Sequence, residues 1–308
     1  MAQLAGITWA DVGEQFRLWL RRQDKSPFTV KNYLHDIRMF SRWHKACFGK
    51  DPDPPQMQAL DLFAYRSYLQ TERRQSTSTV NRRVASLKSF ADFLQSNEIT
   101  ADNIAKKVSY LEAPPQTAPD VLSHAQVLQL FKSIDRTRKL GIRDYAIIQL
   151  FVQCGLRLKE LSDIQLADIK ITERLGILRI PRGKGGKPRE IPLNRTAREA
   201  IMEFLAARPR MAGVRHLFFS QKRKPLAPRS IQDLVKKYLK KAGVGDFSCH
   251  SLRHLFATNL YNKHKDIVLV KEALGHKRLG TTLRYSHKTQ KEIQQALEES
   301  PLNVMRNQ

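Results

Sequence analysis

Six side chains in the C-terminal half have types and an order that suit gripping a phosphodiester while a phenol oxygen attacks it. They are Arg157, Lys184, His250, Arg253, His276 and Tyr285. Arg157 sits in Gly155-Leu156-Arg157-Leu158-Lys159-Glu160-Leu161, just after a glycine that would end an apolar helix. Its planar fork can hold two phosphate oxygens, with Glu160 orienting it. An ordinary surface Arg–Glu pair one helical turn apart is the plain alternative. Lys184 lies in a run of glycines, where a turn can come close to a backbone and a lysine can protonate a leaving oxygen. A loose basic surface turn fits as well. His250 and Arg253 are three apart, on one face of a helix start. Arg253 can complete an anion clamp, and His250 can exchange a proton near neutral pH. Such a pair also arises by chance in a chain with nine histidines. His276 follows another helix-ending glycine, a place where a histidine is commonly structural, and Tyr285 comes nine residues later.

The conjunction says more than the parts. A free phenol titrates near ~10 and is a poor nucleophile at neutral pH. Two arginines would neutralise the phosphate and its pentacoordinate state, each well-placed donor being worth roughly 3–4 kcal/mol. No paired carboxylates mark a two-metal site, so metal-free chemistry with no cofactor is expected. Neither GxxxxGK[ST] nor GxGxxG fits the glycine run, which argues against a nucleotide site.

The composition agrees. Among 308 residues, 54 lysines and arginines face 29 acidic residues, a formal charge of +25 that calls for a polyanionic partner such as nucleic acid. Cys47, Cys154 and Cys249 are too few and too scattered for a disulfide framework or a zinc site. No basic leader runs into an apolar stretch, and the apolar segment from Tyr145 to Leu156 is too short to span a bilayer. A cytoplasmic protein without membrane contact is expected.

The elements that must position these groups are legible from spacing. Residues 8–97 read as four helices: 8–24 capped by Thr8, a second opened by Ser26-Pro27, a third over 59–72, and a fourth after the hydroxyls of Ser76 to Thr79. Val12, Phe16, Trp19, Leu20, Tyr33, Ile37, Phe40, Trp43, Leu62, Tyr65, Tyr68, Leu69, Val80, Val84, Leu87, Phe90 and Leu94 form the inward stripes. Arg82, Arg83 and Lys88 fall on polar positions of the fourth helix and are tentative DNA contacts, with a solvated face as the alternative. Three prolines in residues 112–120 mark a linker. The division is therefore a helical domain over 1–111, a linker over 112–120 and a second domain over 121–308. The second half mixes a helix from Ser123, a buried helix over 142–152, a hairpin over 176–193, and helices over 195–208, 228–242, 251–262 and 267–274. A polar tail helix over 290–299 follows. The fold class is mainly α with a small β-sheet.

GLRLKEL, GKGGKPREIPL, HSLRH and LGHKRLGTTLRY, in this order, resemble the boxes of the tyrosine recombinase, or phage integrase, family. The resemblance covers nearly the whole chain and is closest to Xer-type and transposon- or phage-encoded bacterial members. It implies a helical core-DNA-binding domain joined to a mixed α/β catalytic domain, closing on duplex DNA. It implies that Tyr285 forms a 3′-phosphotyrosyl bond, Arg157 and Arg253 bind the phosphate, and Lys184 protonates the 5′-oxygen. His250 would be a proton-transfer partner, His276 a phosphate hydrogen-bond donor and Glu160 a support. It further implies a homotetramer on two DNA sites, with a second recombinase or an accessory DNA-bending protein as further partners. Cys154 stands where many members carry Thr or Ser, which would make activity oxidation-sensitive. A type IB topoisomerase and a DNA-binding module that lost its chemistry are the competing readings.

Overall fold

The helix starts and stops written in the sequence recur in a computed structural model of the chain, which describes residues 9–112, 120–172, 174–181 and 188–275. Two compact units result, residues 1–115 and residues 116–308. In the first, α1 (Trp9–Arg22), α2 (Pro27–Phe48), α3 (Ala59–Thr71) and α4 (Thr77–Ser96) pack around one core. The Thr8 cap lies outside the described residues. Ser26 caps α2 by accepting from the Thr29 N–H at 3.1 Å, with Pro27 in the first turn. Ser76 stands at the N-cap of α4, but its hydroxyl bonds those of Ser78 and Thr79 instead of the backbone.

Phe16, Phe40, Tyr65, Phe90 and Phe93 are fully buried here, and several meet edge to face. The core continues past α4. Ile99, Ala105 and Val108 join it, and the Asn81 amide accepts from Leu111 N–H and donates to Leu111 C=O, both at 2.8 Å. The irregular segment after α4 is thus held by satisfied backbone groups rather than by periodicity.

In the second unit, α5 (His124–Lys132) is closed by a reciprocal cap between Ser123 and Gln126. The apolar α6 (Lys139–Cys154) follows, then the short α7 (Leu158–Asp163). A 3₁₀ turn then precedes β1 (Ile169–Ile171). β2 (Gly176–Ile180) and β3 (Arg189–Pro192) complete a three-stranded antiparallel sheet in the order β1-β2-β3, with Leu178 opposite Ile191 and Ile180 opposite Arg189. The hairpin expected here is present; its turn, with Lys184, lies outside the described residues. Next come α8 (Arg195–Ala207), α9 (Pro228–Lys241), α10 (Cys249–His264) and α11 (Ile267–Leu274). The tail helix expected over 290–299 also lies outside the described residues.

Gly155 fixes how α6 meets α10. It ends α6 with φ +57°, and a Cβ there would sit 2.3 Å from the Phe256 ring of α10. Only a glycine allows both the left-handed turn and that approach. Cys154, just before it, is fully buried, and burial pushes its thiol up to about 12. The expected oxidation sensitivity is therefore corrected: the thiol is out of solvent and lacks the thiolate that oxidants attack.

Candidate active site

Three arginines of unit 2 gather at the backbone around Gly155 and the C-terminus of α11. Arg157 is the N-cap residue of α7. Its Nη1 donates to Glu160 Oε1 at 2.7 Å, while Glu160 Oε2 accepts from the Arg157 backbone N–H at 2.8 Å. Glu160 orients Arg157 as expected, yet this is no surface pair, because the Glu160 side chain is 5% exposed. Arg157 Nη2 reaches across to the Gly275 carbonyl at 3.0 Å. The Arg157 side chain is 24% exposed, so part of its fork of donors faces outward.

Arg253 comes from the first turns of α10. The helix begins at Cys249, two residues before the expected start, because Ser248 caps it by accepting from the His250 and Ser251 N–H groups. That places His250 in the first turn and Arg253 on the buried side, one turn further. Arg253 donates through Nη1 to the Gly155 carbonyl and through Nη2 to the Leu274 carbonyl at 2.8 Å. Arg157 and Arg253 therefore hold consecutive carbonyls, Gly275 and Leu274, at the negative end of α11. His250 is exposed, and its ring meets that of His254 edge to face at 4.4 Å.

A third guanidinium completes the group. Arg189 donates from Nη1 to Glu160 Oε1 and from Nη2 to Oε2, both at 2.8 Å. Burial alone would push Glu160 up. The hydrogen bonds and charge of Arg189, together with those of Arg157, outweigh it and hold the carboxyl at about 2. The cluster sets three permanent cations against one carboxylate, a surplus that attracts an anion. Arg189 escaped the sequence reading, although a signal exists. Counting by twos from the buried Ile191 puts Arg189 on the inner face of β3, and an inward arginine needs a carboxylate.

Arg157, Glu160 and Arg253 are thus brought together, and His250 lies one turn from Arg253. Lys184, His276 and Tyr285 lie outside the described residues; α11 ends at Gly275, with φ +62°, immediately before His276. In unit 1, the three tentative DNA contacts have inward partners. Arg82 pairs with the buried Asp36, Arg83 donates to Tyr65 Oη at 2.9 Å, and Lys88 donates to the Ala105 carbonyl at 3.1 Å. Neither a solvated face nor a row of free cations describes them, though the Arg82 side chain remains 43% exposed. A basic row the sequence reading passed over lies on α9, where Arg229, Lys236, Lys237, Lys240 and Lys241 are exposed while Ile231, Val235, Tyr238 and Leu239 are buried.

The model of the phage integrase family matches residues 120–292, and that of the phage integrase N-terminal SAM-like domain matches residues 13–101. The chain is 35% identical over 304 residues to the tyrosine recombinase XerC of Caldanaerobacter subterraneus subsp. tengcongensis, covering 91% of this chain and 83% of that protein. It is 34% identical over 297 residues to the XerC of Myxococcus xanthus, covering 92% and 94%. Its fold is similar to that of the XerH site-specific recombinase bound to palindromic difH substrate in a post-cleavage complex. There the TM-score is 0.71 at 21% identity, with 93% of this chain and 84% of that one covered.

Proposed function

The chain belongs to the phage integrase family, the tyrosine recombinases, and we propose that its arginine cluster receives the scissile phosphodiester of duplex DNA. The protein is a site-specific DNA recombinase. The observation that carries the site assignment is the convergence of Arg157 and Arg253 on the carbonyls of Leu274 and Gly275, the residues that lead into His276.

In this reading Tyr285 Oη attacks phosphorus, and the bond from phosphorus to the 5′-oxygen breaks. The DNA 3′-phosphate is then carried on the tyrosine. Lys184 gives the departing 5′-oxygen its proton, and His250 takes the proton of the phenol. Arg157 and Arg253 stabilise charge on the non-bridging oxygens, and His276 adds a hydrogen bond. The 5′-hydroxyl of a partner strand reverses the step and joins the exchanged strands. The phosphotyrosyl bond conserves the bond energy, so the exchange calls for no ATP. Residues 1–111 bind core DNA and residues 121–308 carry the chemistry, joined by 112–120. Two sites are brought together by a homotetramer, with an accessory DNA-bending protein or a second recombinase as further partners. The basic row of α9 offers phosphate contacts in unit 2. In unit 1 Arg82 is the residue of the three that can reach DNA, while Arg83 joins α4 to α3 and Lys88 joins α4 to the segment that follows it. We place the reaction with the DNA in the cytoplasm; among the described residues no helix is long and apolar enough to cross a membrane.

The test uses a nicked duplex carrying DNA that flanks the encoding gene, incubated with the protein in EDTA. An SDS-resistant adduct mapped to Tyr285, and absent from Tyr285→Phe that still binds, supports the reading. An adduct on another residue, or a strict magnesium requirement for scission, contradicts it.

A further inference from the structure

Arg189 has no role in the steps above, yet it borders both points at which Arg157 is held. It opens β3, and its side chain is 13% exposed. Its two Nη groups grip both oxygens of Glu160, the same oxygens that accept from the Arg157 Nη1 and backbone N–H. The carboxylate thus accepts four hydrogen bonds, about its full capacity. A carboxylate held from one side alone can turn about its last torsion. A two-pronged grip from the other side fixes its plane, and with it the direction in which Arg157 Nη1 points.

The stem of Arg189 does a second thing. It lies against Gly275, where a Cβ would come within 3.0 Å of Arg189 Cδ and 3.2 Å of Nε. Gly275 is the residue whose carbonyl receives Arg157 Nη2. Arg189 is therefore in contact with the carboxylate that holds one end of the Arg157 fork and with the glycine that holds the other.

We infer that Arg189 is a positioning residue for strand cleavage: it fixes the Glu160 carboxylate and the Gly275 backbone, and through them sets the guanidinium of Arg157 against the phosphate. The inference rests on the phosphate-clamp reading. A lysine cannot take its place, because a point charge grips one oxygen at a time and does not fix a plane.

The test compares wild type, R189K, R189M, E160Q and R189M/E160Q on the same nicked duplex. DNA affinity and the single-turnover rate of adduct formation at saturating protein are measured separately. Affinity is expected within about twofold of wild type for all four, since phosphate contacts elsewhere dominate binding. Adduct formation is expected to fall about 10- to 100-fold in R189M, with R189K recovering little of it, because a misplaced clamp costs rate rather than binding. The double variant is expected to be no slower than the slower single variant, because both act through one pair. It also leaves no unmatched charge in the pair, so it serves if R189M folds poorly. R189M cutting at the wild-type rate per bound molecule would overturn the inference, as would a double variant slowed by the product of the single effects. A wild type that binds tightly and never forms an adduct defeats the cleavage reading itself, an outcome distinct from both.

Discussion

Each unit holds an acid enclosed by arginines, and the two clusters differ in what they leave over. In unit 1, Asp36 is 1% exposed and receives Arg82, Arg83 at 4.0 Å and the Ser86 hydroxyl at 2.7 Å. Its partners come from the middle of α4, and Arg83 spends its other contact on Tyr65. In unit 2, Glu160 receives Arg157 and Arg189, but Arg157 and Arg253 continue on to bare carbonyls at helix ends. The first cluster joins helix middles, and both of its arginines turn to one carboxylate, although Arg82 keeps an outward side. The second joins helix ends, carries a further guanidinium and aims two of its arginines at the backbone that leads into His276. The same residue types serve as a structural rivet in one place and an anion clamp in the other, and the geometry around the carboxylate decides which.

The largest expected effect separates the two directly. Arg253→Ala should slow adduct formation about 10²- to 10³-fold while DNA binding persists, as loss of one oxyanion donor does elsewhere. Gel separation of covalent and non-covalent complexes reads both quantities on one sample. Next in size, Asp36→Ala should destabilise unit 1 by about 3 kcal/mol, because it leaves arginines facing an uncompensated buried site. Trp9, Trp19 and Trp43 all lie in unit 1, so tryptophan fluorescence in a urea titration reports that unit alone.

Acid sharpens the comparison further. Glu160 is depressed from 4.5 to about 2 in the folded chain, so its stabilising contribution is fully present above about pH 4.5. That contribution, about 3 kcal/mol by linkage, is lost as pH falls through about 2. Hydrogen exchange of α10 amides should therefore accelerate in wild type between these limits, and Glu160→Gln should remove that part of the pH dependence. The smallest effect concerns the thiols. Cys47 is exposed, whereas burial pushes Cys154 to about 12 and Cys249 to about 11. Alkylation under native conditions should mark Cys47 first and leave cleavage unchanged. Loss of cleavage in step with Cys154 labelling would contradict the burial argument.

Much of this was written locally in the chain. The stripes on α1 to α4 match the core, with Trp19, Tyr33 and Tyr68 at its edge, and the helix starts at Ser26 and Ser123 and the stops at Gly155 and Gly275 fell where the sequence placed them. Arg157 and Glu160 are neighbours in sequence, so their bond was readable as well. What escaped was whatever the tertiary fold alone brings together. Asp36 meets Arg82 across 46 positions, and Arg189 meets Glu160 across 29. Residues 99–108 join the core of unit 1 without helical periodicity, so no pattern announced them. The polar positions of α4 looked outward-facing because their partners, Asp36 on α2, the Tyr65 hydroxyl on α3 and the Ala105 carbonyl, are groups that a hydrophobic stripe does not reveal.

The central claim is that the unit 2 cluster holds the scissile phosphate while the unit 1 cluster holds helices. Its most direct test is the single-turnover cleavage rate of Arg157→Lys beside that of Arg82→Lys, both at saturating protein on one nicked duplex. A lysine keeps the charge in each case; at position 157 it loses a two-pronged grip, whereas Arg82 holds Asp36 through Nη1 alone. The account predicts a loss of about 100-fold for Arg157→Lys with binding retained, and a near wild-type rate for Arg82→Lys. Equal rates in the two variants, or a slower Arg82→Lys, would contradict it.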